Sequence, residues 1–315
     1  MRILKPLAFG AALLAAASAH AAPLTASQIM TQFNSVVTGD FSTSSDVEGR
    51  LVANNISHGA TFYNNPSNVA SAFSAVNAIT IGSNGGGNIN NGGSVNFISS
   101  NAGHFNLNGS GGSIKQGVPA FAMSDFSTPL NTLEAQLAGM ANANGSLNAA
   151  DPNNFTFNLT GNASSTSVFN LTTSQLGAAA NINFAGTAKT VVINVRYDGA
   201  VGAHGEKAFT INGNFNDNSH LGNHIIWNFV DTTAVNFRGW YGAVLAGTSD
   251  VSAGSAMNGF LYAKDFLGNG ELHDRPFQGA LPVPEPSGWA MMGVGLAGLA
   301  LVRRRKSAEK FAETV

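Results

Sequence analysis

Short runs in which apolar and polar residues alternate, each closed by Gly, Asn or Ser, constrain this chain more than any other feature. They include Ser94-Val95-Asn96-Phe97-Ile98, Phe155-Thr156-Phe157-Asn158-Leu159, Val191-Val192-Ile193-Asn194-Val195 and Ile225-Ile226-Trp227-Asn228-Phe229-Val230. A period of two puts every second side chain on one face of a strand, and the Gly and Asn clusters between runs supply turns. The chain holds 37 Gly and 36 Asn, while only 10% of its residues are charged. Such a composition suits either a disordered chain or a tightly turning all-β protein. The recurrent Phe, Val, Ile and Leu decide for the second, because they supply the burial that disordered segments lack. There is no cysteine, so stability must come from burial and backbone pairing rather than from disulfides.

The spacing of these runs points to an architecture. Ile81, Ile89, Val95-Phe97, Phe105-Leu107 and Ile114 follow one another at about eight to ten residues with turn clusters between. A similar series recurs at Val235-Asn236-Phe237, Tyr241 to Ala246, and Met257 to Ala263. This predicts an all-β domain, a right-handed parallel β-helix or β-solenoid with Asn side chains laddering between coils. A β-sandwich has similar spacing and is the alternative. One segment breaks the pattern: Phe126, Leu130, Leu133, Leu137 and Met140 recur at three and four residues, which predicts a helix over about 128–140. Thr128 would cap it, Pro129 would take the first helical position, and the helix would cover a flank or an end.

Both termini read as processing segments. Arg2 and Lys5, the apolar Leu7–Ala17 and the small-x-small Ala19-His20-Ala21 form a signal peptide over 1–21, cleaved before Ala22. At the other end Val283-Pro284-Glu285-Pro286 precedes an apolar run at 288–302 and then Arg303, Arg304, Arg305 and Lys306. As a short transmembrane helix that run reaches only about 22 Å, against a hydrocarbon core of about 30 Å. The basic cluster keeps 307–315 cytoplasmic and places everything upstream outside. The folded domain is therefore expected over 22–282. Residues 22–286 hold eight Lys and Arg against fifteen Asp and Glu, a balance that excludes nucleic acid as a partner.

The tail, residues 283–306, resembles the PEP-CTERM sorting signal of Gram-negative bacteria through Pro284, Glu285, Pro286, the apolar run and Arg303–Arg305. That resemblance implies recognition by a membrane-embedded exosortase, cleavage near Pro-Glu-Pro, and delivery to the cell surface in exopolysaccharide-producing organisms. The domain resembles the choice-of-anchor A family. The opening Phe33-Asn34-Ser35-Val36-Val37-Thr38-Gly39-Asp40-Phe41 and Ser45-Asp46-Val47-Glu48-Gly49-Arg50-Leu51 carry the likeness. So do Trp227-Asn228-Phe229, Gly242 to Ala246, and Gly268 to His273 with Pro276-Phe277 and Gly279. Membership would imply a surface-exposed adhesive solenoid with no catalytic residues to carry over. One departure is Ala246-Gly247, where that family commonly has Ala-Pro.

Two charged clusters stand out. Asp46, Glu48 and Arg50 would share one strand face, with Arg50 neutralising the carboxylates, although Asp40 and the two acids together could also suit Ca²⁺. Glu271 and His273 would face the same way, as a polar cap to the last coil or as half of a general-base or metal site. His220 and His224 have zinc-helix spacing, but Gly222-Asn223 argues for a turn. The expectation is a non-enzymatic adhesin without metal or cofactor, partnered by an exosortase and by extracellular polysaccharide or matrix protein. A polysaccharide-active enzyme is the alternative, with Trp227 and Trp240 as its sugar platforms. An ice-binding module comes third, since Thr156, Thr172 and Thr173 fall in no common Thr-x-Thr register.

Overall fold

The computed structural model describes residues 24–282 except 216, 218 and 219. The expected signal peptide with Ala19, Ala21 and Ala22, the Pro284-Glu285-Pro286 tail with its apolar helix and Arg303–Arg305, and residues 307–315 all lie outside the described residues. Among those described, no helix is long and apolar enough to cross a membrane.

Parallel strands dominate. The main sheet has 12 strands, with the path Thr166–Thr172, Thr190–Arg196, Ile225–Val230, Ala243–Ala253, Leu261–Gly268, Ser35–Thr43, Leu51–His58, Val76–Ile81, Val95–Asn101, Ile114–Gln116. A 7-stranded sheet of short strands faces it, and a 4-stranded sheet holds the antiparallel pair Gly145–Asn148 and Phe155–Leu159. Parallel neighbours cannot be joined by tight hairpins. Here the short strands Asp46–Val47, Thr61–Phe62, Gly87–Ile89 and Phe105–Leu107 carry each return to the main sheet. A sandwich of antiparallel ladders is thus not what the chain forms. Register repeats between turns of the chain: Val76, Val95 and Ile114 are stacked, as are Phe62, Ile89 and Leu107. Ser94 and Ser113, 19 residues apart, meet through their hydroxyls at 3.2 Å.

Strand order does not follow chain order. The first strand, Ser35–Thr43, lies inside the main sheet, parallel to Leu51–His58 on one side and to Leu261–Gly268 on the other. The chain therefore starts in mid-sheet, runs out to the edge at Ile114–Gln116, restarts at the far edge with Thr166–Thr172 and returns to its own beginning.

Apolar residues form two layers. One lies between the sheets, around Phe41, Phe62, Phe157, Trp227 and Phe266. The second lies between the main sheet and two helices, α1 (Ala26–Gln32) and α2 (Ser124–Ala138), where Ile29, Met30, Phe126, Leu130 and Leu133 cover Val36, Val192, Ile226 and Leu245. Helix α2 thus covers a flank. It begins earlier than its sequence suggests: Met123 is the N-cap, and Pro129 lies inside the helix. The added first turn contributes Phe126, whose ring meets Phe33 at 5.3 Å, Phe73 at 5.3 Å and Phe121 at 5.8 Å.

Asparagine ladders cross both surfaces of the fold. In the main sheet Asn170, Asn194 and Asn228 are in register. Asn228 Nδ2 donates to Asn194 Oδ1 at 2.9 Å, and Asn194 Nδ2 donates to Asn170 Oδ1 at 2.8 Å. The same amides also reach the carbonyls of Glu134 at 3.0 Å, Leu137 at 2.8 Å and Met140 at 2.9 Å. Through these bonds the ladder pins the end of α2 to the sheet. A second ladder lies on the outer side of the short strands. Asn64 donates to Asp46, Asn90 to Asn64 and Asn108 to Asn90, at 2.8, 2.8 and 2.9 Å. It ends at Asp46, whose Oδ2 accepts from the Asn64 amide.

Candidate binding groove

The two sequence-predicted clusters fare differently. Arg50 does not neutralise Asp46 and Glu48. The short strand Asp46–Val47 ends before a corner at Gly49, and the three side chains diverge there. Asp46 starts the outer ladder, Glu48 accepts from the Asp274 N–H at 2.9 Å and faces Arg275 at 3.8 Å, and Arg50 donates to the Val69 carbonyl at 2.7 Å and lies over Tyr63. Asp40 accepts from Asn55 at 2.7 Å instead of joining them. Glu271 and His273 are brought together: His273 Nε2 lies 2.7 Å from Glu271 Oε2, and its Nδ1 lies 2.8 Å from Asn258 Oδ1. Both ring nitrogens are thus occupied by oxygens. His224 Nδ1 lies 3.0 Å from the Lys189 carbonyl, and no group of three metal-ligating side chains occurs among the described residues.

No sequence motif marks the opening beside Asn258. The 4-stranded sheet ends at Asn214–Phe215 and the 7-stranded sheet begins at Trp240–Tyr241, with no ladder between them among the described residues. Side chains bridge the break instead. The Phe215 ring lies 5.4 Å from both Trp240 and Tyr241, and the Trp227 indole N–H donates to the Tyr241 carbonyl at 3.0 Å. The result is a cavity of about 390 Å³ lined by Asn181, Asn214, Arg238, Tyr241, Ser255 and Asn258. A second cavity of about 230 Å³ shares Tyr241 and Asn258 and adds Asp217, His220, Asn223 and Arg275. Together they form a polar groove with Tyr241 at its centre.

Trp227 and Trp240 do not serve as exposed platforms. Both are buried, with ring centroids 4.7 Å apart, and they sit among Phe157, Phe215 and Phe237 beneath the groove. The Trp240 Nε1 has no hydrogen-bond partner among the described residues. Tyr241, half-buried, is the aromatic residue that reaches the surface from this cluster. Asn258 is held in place by donating to the Trp240 carbonyl at 3.3 Å and accepting from His273. Arg238 is exposed and makes no ion pair or hydrogen bond among the described residues.

Known proteins place this domain. Residues 282–306 match the PEP-CTERM protein-sorting motif, which implies export, membrane-associated sorting and processing by an exosortase. No curated protein matches the chain. Among solved structures it is similar to the Shewanella frigidimarina ice-binding protein_1 DUF3494 domain, at 13% identity and a TM-score of 0.36, covering 80% of this chain and 98% of that one. It is also similar to an ice binding protein from an Antarctic biological consortium, at 11% identity and a TM-score of 0.30, covering 86% and 95%. Residues 26–274, most of the described domain, match a family model, and the chain belongs to the ice-binding-like adhesive domain family.

Proposed function

We propose that this chain is an exported, non-enzymatic adhesive module, wound as a β-solenoid, that an exosortase sorts to the cell surface and that contacts extracellular polysaccharide or matrix there. The choice-of-anchor A resemblance fits the same reading. The observation that carries it is the outer asparagine ladder from Asp46 through Asn64 and Asn90 to Asn108. It presents a regular, nearly uncharged row of amides, which suits the hydroxyl groups of a sugar surface better than it suits an ionic partner. For catalysis the strongest candidate is His273, whose two ring nitrogens face Asn258 and Glu271 within the protein. The test is a glycan and matrix-protein binding array run beside a polysaccharide depolymerisation assay. Binding without turnover is expected, and turnover without stable binding would overturn the reading. Deleting 282–315 should change where the protein is found in cells.

The family match favours a second reading, ice binding. The threonines do not build it: Thr156 is paired with Asn183, and Thr172 with Arg196. Ice-recrystallisation inhibition by the purified protein would decide for it.

A further inference from the structure

We infer that the groove around Tyr241 is a binding site for an acidic polysaccharide, with the Arg238 guanidinium pairing to its carboxylates and the Tyr241 ring lying under a sugar. This rests on the polysaccharide-adhesive reading above and gives it a place and a ligand class.

The opening is built into the fold. The Tyr241 carbonyl is satisfied by the Trp227 indole, and Asn258 is fixed between the Trp240 carbonyl and His273. The polar walls therefore stand ready without a strand to close the break. At about 390 Å³ the larger cavity falls within the size range of ligand sites, about 300–1,000 Å³. Two cavities adjoining at Tyr241 suit successive units of a chain better than one small molecule.

The chemistry of the walls selects the ligand. A planar guanidinium matches a carboxylate with two parallel hydrogen bonds, and Arg238 has no internal carboxylate to occupy it. One carboxylate, Asp217, lines the smaller cavity, and its Oδ1 is turned to backbone donors. Asp217 accepts from the N–H groups of Leu221 at 2.9 Å and Gly222 at 3.0 Å, and Glu271 faces His273. The amides of Asn181, Asn214 and Asn258 offer donors and acceptors to hydroxyls. Tyr241 supplies an apolar ring with a polar tip, held on its inner side by Phe215.

The test is affinity electrophoresis of the full chain through gels containing polygalacturonate or neutral dextran, comparing wild type, Arg238→Gln and Arg196→Gln. Arg238 is exposed and unpaired, so its replacement should leave the circular dichroism spectrum and melting point unchanged. Wild type and Arg196→Gln should be retarded by polygalacturonate, with Arg238→Gln weaker by about tenfold, in line with the loss of one bidentate charged pair. If Arg238→Gln is retarded as strongly as wild type, or Arg196→Gln is weakened equally, the groove is wrong while the adhesive reading stands. Equal retardation by dextran would overturn the carboxylate assignment alone. No retardation in either gel overturns this site and the polysaccharide reading together.

Discussion

The Gly247 N–H donates to Glu134 Oε1 at 2.8 Å, a bond that proline at this position could not make because it has no N–H. Burial raises the Glu134 carboxyl from 4.5 to about 7, and the Gly247 hydrogen bond only partly opposes it. Burial and the charge of Glu134 push the neighbouring Tyr262 phenol well above its usual range, and that phenol donates to Asn131 Oδ1 at 2.7 Å. Because the folded-state value lies above the unfolded one, the folded chain binds this proton more tightly. The stability it contributes is complete below pH 4.5 and is lost as pH rises toward and through 7. The shift corresponds to about 3 kcal/mol at most. Glu134→Gln keeps an acceptor for Gly247 and removes the ionisation. Its melting temperature should fall less than that of wild type between pH 5 and pH 8, and parallel curves would refute the assignment. The inner ladder is the other sensitive spot. Asn194→Leu strips partners from Asn170, Asn228 and the Leu137 carbonyl in a buried place, and should cost about 2–4 kcal/mol in denaturant unfolding.

Elements were legible to different depths. Alternation marks the strand Phe155–Leu159, where every second residue faces the core, whereas the apolar runs at Thr190–Arg196 and Ile225–Val230 are buried on both faces, between the two apolar layers. Helical spacing likewise reveals α2. Its start is misread because Thr128 and Pro129 form a good local beginning, whereas Phe33, Phe73 and Phe121, distant in sequence, draw Phe126 into the second apolar layer and extend the helix. Tertiary burial outweighs a local cap worth about 1 kcal/mol. Phe126→Ala should accordingly cost about 3–5 kcal/mol, with amide hydrogen exchange rising first in α1 and α2; uniform acceleration across the strands would show that the helices are not a separate layer. The charged window at Asp46–Arg50 was misread for a related reason. Residues two apart share a face only while the strand runs straight, and the corner at Gly49 sends Arg50 to Val69 and Tyr63.

At the scale of the whole molecule, the two ends of the domain meet in the middle of the main sheet. Ser35–Thr43 needs Leu261–Gly268 on one side, and the Phe277 N–H donates to the Met30 carbonyl at 3.3 Å. The domain's two ends therefore leave the fold side by side. A circular permutant linking Pro282 to Leu24 by a short Gly/Ser segment, cut in the exposed loop between Ala203 and His204, should fold and melt within a few degrees of the natural order. Loss of cooperative melting would show that the ends are not neighbours. Sequence alone determined most of the parts: many short strands, the flanking helix α2 though not α1, laddering asparagines, a disulfide-free domain and a sorting tail. All of these follow from local periodicity and composition. The tertiary structure decided which strands are neighbours, which carboxylates find cations, and that a groove opens where Asn214–Phe215 and Trp240–Tyr241 do not pair. Pairing across more than two hundred residues, and a gap filled by the side chains of Trp227 and Phe215, depend on contacts between distant segments and leave no local pattern to read.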